Sequence, residues 1–134
     1  MIGFYGNIEK LAMKNENFRQ VIFTGKYAQL VLMSLLPGEQ IGFEVHENVD
    51  QFFRIEQGEA SFVLNNGKEQ HLAKNGDSVI VPAGTIHNVI NTSKTEPVKL
   101  YTIYAPPNHP AETVHGTKAE ADQAEAAKHH QTLK

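Results

Sequence analysis

Glu44 and His46 flank Val45 in the run GFEVHEN. In an extended strand alternate side chains share a face, so this triplet turns a carboxylate and an imidazole the same way and sends the valine to the other side. Two such groups on one strand can begin a divalent-metal site, and surface strands alternate polar and apolar residues in the same way without one. The chain contains no cysteine, which excludes disulfides and leaves nitrogen and oxygen as the metal donors. No Ser-His-Asp or Cys-His nucleophile pattern, phosphate-binding glycine loop or dinucleotide fingerprint is present, so catalysis by this chain would depend on a bound ion.

The elements that must position these groups read as strands. Tyr27 to Leu36 (YAQLVLMSLL) is rich in β-compatible apolar residues and stops at Pro37-Gly38, the pattern of a buried strand followed by a turn. Gln51 to Ile55 and Ala60 to Leu64 form further runs, the second ending in Asn65-Asn66-Gly67. An Asn-Gly pair between two such runs predicts a hairpin, because both residues tolerate the positive φ of a type I′ turn. Asp77 to Val81, His87 to Ile90 and Val98 to Tyr104 complete the series, each bounded by Gly, Pro or Asn. Short strands at this spacing, with no helical period between them, predict an all-β barrel or sandwich.

Three zones follow: an N-terminal extension over 1–26, the strand-rich middle over 27–105 and a polar tail over 106–134. In the tail, Thr117 followed by Glu120 matches a capping box ahead of AEADQAEAAK, which predicts a short C-terminal helix. Its apolar positions are nearly all alanine, so the helix is expected to be a solvated appendage. The apolar run LVLMSLL and the segment NFRQVIFTG suggest a homodimer in which the extension adds a strand to a neighbour's sheet.

Other residues have plainer readings. His71 sits in a polar stretch, and His129 and His130 near the chain end; none is expected to act. His109 and His115 lie where the chain leaves the barrel and are expected to be structural. Gln51 and Phe53 share a strand face that Arg54 does not, so Arg54 is expected outside. Tyr101 and Tyr104 lie on opposite faces, and one of them can offer a phenol to the cavity.

The spacing of the conspicuous residues carries more. Five residues separate Gly38 from Glu44, one separates Glu44 from His46, four separate His46 from Gln51 and six separate Gln51 from Gly58. Later, Gly76, Pro82, Gly84, His87 and Asn91 follow at gaps of five, one, two and three. This resembles the two signature motifs of the cupin superfamily, G-x5-H-x-H-x(3,4)-E-x6-G and G-x5-P-x-G-x2-H-x3-N. The second matches at every fixed position. The first matches in spacing but has Glu44 where the family has its first histidine and Gln51 where it has glutamate. The resemblance implies a jelly-roll, double-stranded β-helix barrel holding one divalent metal ion, with Glu44, His46, Gln51 and His87 as ligands. The two exchanges leave one carboxylate in the set, which is compatible with Zn, Mn, Fe, Ni or Cu. Asp50 is an alternative to Gln51 at the shorter gap, though only Gln51 keeps the six-residue gap to Gly58. Gln51 can also be read as orienting a metal-bound water.

The runs EVHENVDQFFRIEQGEA, YTIYAPPNHP and TVHGTKAEA look similar to small bacterial cupins labelled mannose-6-phosphate isomerase-like. That resemblance implies a metal-dependent enzyme of isomerase, lyase or dioxygenase type acting on a small oxygenated molecule. A non-catalytic binding or sensing module is the alternative. With 40% hydrophobic and 20% charged residues the composition is that of a folded domain. A net charge of −3 offers no positive field for nucleic acid or anionic lipid. The apolar window Ala28 to Leu36 falls far short of the roughly 20 residues a spanning helix needs, and the N-terminus lacks the basic start and apolar run of a secretion signal. A cytoplasmic protein with a small-molecule partner is expected.

Overall fold

A computed structural model describes residues 2–132, with side chains for 2–128. In chain order the elements are α1 (Ile8–Lys14), β1 (Arg19–Thr24), β2 (Gln29–Leu35), β3 (Asp50–Gln57), β4 (Glu59–Leu64), β5 (Glu69–Lys74), β6 (Ser78–Val81), β7 (Asn88–Asn91), β8 (Val98–Ala105), β9 (Val114–His115) and α2 (Lys118–Thr132). The all-β expectation holds. A six-stranded sheet in the order β6-β3-β8-β2-β1-β9 faces a three-stranded sheet in the order β5-β4-β7, and the named strand pairs are antiparallel.

The core lies between the sheets. Along β3, Gln51, Phe53 and Ile55 are buried while Phe52 and Arg54 are only partly so, the period-two signature of a sheet with one wet face. Phe53 meets Phe62 of β4 edge to face with ring centres 5.1 Å apart, among Val31, Met33, Leu35 and Leu100. Arg54 is directed outward and pairs with Glu56 at 2.7 Å.

All seven residues of β2 are buried, because α1 covers the outer face of β2 and β8. Ala12 of that helix is fully buried, and Lys99 Nζ donates to Asn15 O at its end and to Ser34 Oγ. This accounts for the unbroken apolar run without a second chain. The extension is also engaged within the chain, since β1 lies between β2 and β9. Both segments behind the homodimer expectation are thus occupied internally, and the sheet extends past 27–105 at both ends. Helix α1 has no strong sequence period; Asn7 caps it by accepting from Lys10 N.

Two turns explain motif residues. In the β4–β5 hairpin, Gly67 N donates to Leu64 O and the residues at positive φ between them are Asn65 and Asn66. The primed turn thus centres one residue earlier than the Asn-Gly pair suggests, with Gly67 closing it. Gly58 has φ +86° and lies so close to Pro97 that a Cβ would sit 2.6 Å from the carbonyl oxygen, which excludes any side chain.

Asn91, fully buried, ends the second motif as a staple. Its Nδ2 donates to Leu35 O, Leu36 O and Glu96 O, and its Oδ1 accepts from Ser93 N. Replacing Asn91 by Ala strands several buried groups at once and is expected to lower the unfolding free energy by about 2–4 kcal/mol, measured by chemical denaturation. A loss below about 1 kcal/mol would mean that water replaces the amide.

Candidate metal centre

The segment around Glu44 is not part of a regular ladder. It is an extended arm joined to the second motif by two isolated antiparallel bridges, Gln40 with Ile90 and Glu44 with His87; in the second, Glu44 N donates to His87 O at 2.8 Å and His87 N donates to Glu44 O at 2.9 Å. One step on, Gly84 N donates to His46 O at 2.9 Å. The alternation expected of a strand survives: Val45 is exposed while Glu44 and His46 turn inward. The bridge sets Glu44 opposite His87, and the ligand atoms of Glu44, His46 and His87 lie within 4.8 Å of one another. Small rotamer adjustments would draw them around one ion at bonds of about 2.0–2.2 Å.

Each imidazole is held for this purpose. His87 Nδ1 lies 3.0 Å from Thr85 O and donates to that carbonyl, which leaves Nε2 unprotonated and free to bind a metal. His46 Nε2 is buried with no hydrogen-bond partner. Its pKa is depressed to about 4 by burial, then by the neighbouring His87 and Arg19. Burial also lowers His87 and raises Glu44. Both rings are therefore neutral at pH 7, the form that ligates.

Gln51, on β3, is buried, and its Nε2 donates to Thr102 Oγ1 at 3.0 Å. Thr102 in turn donates its hydroxyl to Phe52 O, so it can only accept from Gln51 and thereby sets the orientation of the amide. Gln51 Oε1 is left buried without a partner. A stranded amide oxygen is costly to bury, and a cation is what it would suit. Asp50 points away: it is exposed, and its Oδ1 accepts from Ala83 N.

Of the two tyrosines, Tyr104 points inward, beside His46. It is buried, its ring lies 5.7 Å from that of His46 in an edge contact, and its hydroxyl is 3.2 Å from His109 Nε2. Burial pushes the phenol well above its usual range and His109 down to about 3, so both stay uncharged. Tyr101 stacks on Phe52 on the other face. His71 is exposed, and the side chains of His129 and His130 lie outside the described residues.

The tail departs from expectation. Gln29 holds it by accepting from Asn108 N and His109 N and donating to His109 O, and β9 pairs with β1. These anchors carry α2 back over the barrel mouth, where Ala121 is buried in the core and Lys118, Asp122, Glu125 and Lys128 line a cavity of about 580 Å³ that reaches Glu44, His46 and His109. Thr117 and Glu120 form the expected capping box. Arg19, also on the cavity wall, is the functional candidate that the sequence did not single out.

Similar proteins agree with this architecture. A family model described as a cupin domain matches residues 31–104. An uncharacterized protein of Bacillus subtilis (strain 168), YrkC, is 52% identical over 126 residues, covering 91% of this chain and 67% of its own length. An uncharacterized protein of Acanthamoeba polyphaga mimivirus is 46% identical over 105 residues, covering 78% of this chain and 66% of the relative. The chain thus spans about two thirds of the length of these curated relatives. A crystal structure from Bacillus halodurans superposes with a TM-score of 0.87 at 44% identity, covering 90% of this chain and 93% of that one.

The depressed imidazoles give a signed pH dependence. Below about 6.5 the unfolded chain binds protons that His46 in the fold refuses down to about 4, so stability is lost as pH falls through that window. In chelator-treated protein the thermal midpoint is expected to drop steadily from neutral pH toward about 5, and less steeply in His46→Gln. A flat midpoint in the parent would mean that the rings are solvated.

Proposed function

The chain belongs to the cupin family, and from that premise we propose that it is a metal-dependent enzyme acting on a small oxygenated molecule. One observation carries the reading: Glu44, His46 and His87 bring their ligand atoms within 4.8 Å of one another, and His46 Nε2 is buried without a hydrogen-bond partner, as is Gln51 Oε1. Glu44, His46 and His87 would hold the ion, with Gln51 as fourth ligand or as the group that orients a water on it. The donor set of two imidazoles, one carboxylate and one amide suits Zn, Mn, Fe, Ni or Cu. A bound divalent ion would supply Lewis acidity toward a ligand oxygen.

The protein's own groups have separable tasks. Tyr104, kept protonated by burial, lies beside His46 and would donate from its hydroxyl to a ligand oxygen at the metal centre, and the neutral His109 holds that hydroxyl in place. Phe53 stands 6.3 Å from the His87 ring and keeps that side dry. Helix α2 restricts access of water at the mouth. These features support isomerase, lyase or dioxygenase chemistry. The sugar-phosphate form of the proposal has least support, because Glu47, Asp122 and Glu125 line the cavity beside Lys118 and Lys128 and would repel a dianion. The absence of cysteine is compatible with a cytoplasmic setting.

The altered first motif favours a second reading, a binding or sensing module. A ligand that raises the thermal midpoint and is recovered chemically unchanged would select it over catalysis.

Elemental analysis of protein purified without a histidine tag tests the centre. About one equivalent of a divalent metal is expected in the parent and almost none in the His46→Ala, His87→Ala double variant, with Gln51→Ala retaining metal at roughly ten- to a hundredfold lower affinity. A metal-free parent after growth with added Zn, Mn, Fe and Ni would remove the metal centre from consideration.

A further inference from the structure

Arg19 is a buried charge on the cavity wall that the metal centre does not explain. It sits on β1, opposite Met33 of β2 and His115 of β9, and only 7% of it is exposed. Its guanidinium stacks over the Phe18 ring at 5.3 Å, and its Nη1 lies 3.3 Å from His115 Nδ1. Its Nε is buried with no hydrogen-bond partner. None of the ion pairs among the described residues includes it. A permanently charged group held this deep normally faces an anion. The side chain lines the same cavity as Glu44, His46 and His109, clamped by aromatic stacking, the His115 imidazole and the uncharged Tyr104 hydroxyl; the carboxylate that feels its charge, Glu44, is the one the proposed ion would claim.

We infer that Arg19 recognises an anionic group on the ligand of this cavity, and that the ligand is a small oxygenated carboxylate. The inference rests on the cavity being the ligand site proposed above. The guanidinium fork matches a carboxylate, whereas a neutral sugar or alcohol would leave the buried charge unanswered. A phosphate dianion is disfavoured by the carboxylates of Glu44, Glu47, Asp122 and Glu125 around the same space. With a divalent ion on Glu44 and Arg19 in the same cavity, the site would keep a net positive charge, which a carboxylate with a neighbouring hydroxyl or carbonyl oxygen would offset.

Calorimetric titration with lactate, and with its neutral counterpart lactamide, separates these cases, with metal content measured on the same samples. The parent is expected to bind lactate at least tenfold more tightly than lactamide. Arg19→Gln is expected to weaken lactate by about ten- to a hundredfold and leave lactamide unchanged, with Arg19→Lys in between. Equal binding of lactate and lactamide to the parent, failure of lactate to bind it at all, tighter binding of inorganic phosphate, or an unchanged lactate affinity in folded Arg19→Gln would each overturn the inference. The comparison on the parent stands even where Arg19→Gln does not fold. A parent without metal that still discriminates lactate from lactamide would count against the metal centre alone and keep the anion site.

Discussion

The two reciprocal backbone hydrogen bonds between Glu44 and His87 are the constraint on which the site depends. Neither residue lies within a long ladder, and 42 positions of sequence separate them. The arm from Gly38 is already tied to the second motif by the Gly38–Asn91, Asn91–Glu39 and Ile41–Val89 main-chain bonds, and the Glu44–His87 bridge carries that pairing on to the site. With it, the carboxylate and the imidazole are brought to the same side of the barrel wall, and the Gly84–His46 bond extends the clamp one step to bring in the third group. The glycine and proline of the second motif shape the chain that makes these bonds. Side-chain chemistry at the centre is in this sense a product of main-chain pairing.

Buried polar groups around that clamp are unevenly matched. Gln29 organises three main-chain groups, and Asn91 four. Among the described residues, the buried side-chain atoms without a hydrogen bond are His46 Nε2, Gln51 Oε1 and Arg19 Nε at the site, and Arg54 Nε and Glu56 Oε2 in the ion pair on the other face of β3. The three at the site are groups with which something entering from outside could pair.

Much of this was legible in the sequence because it is local. The strands announced themselves by alternation and by their Gly, Pro and Asn boundaries, and the second motif located His87 and Asn91 by spacing. Gln51 over Asp50 followed from the gap to Gly58, and the strand's period of two places them on opposite faces. Arg19 was not legible, since its neighbour His115 is 96 residues away and its strand looks like an extension when read alone. The choice between Tyr101 and Tyr104 needed the register of β8 against β3, which pairs Gln51 with Tyr104. Helix α1, only seven residues long, is stabilised by packing on β2 and not by its own pattern. The placement of α2 over the mouth was hidden because the anchoring contacts are to Gln29 and β1, far earlier in the chain.

That helix has a kinetic consequence. Among its described residues only Ala121 is buried, and both its capping box and its Lys118–Asp122 pair are internal to the helix or its first turn. Undocking it therefore exposes little apolar surface, at a cost on the order of 1–2 kcal/mol, and breaks none of these contacts. The barrel beneath is held by the strand pairing of two sheets. Residence time in the cavity then depends in part on the lift of that helix, so a larger apolar residue in place of Ala121, its buried position on the cavity wall, would alter exchange rates while leaving Glu44, His46 and His87 untouched.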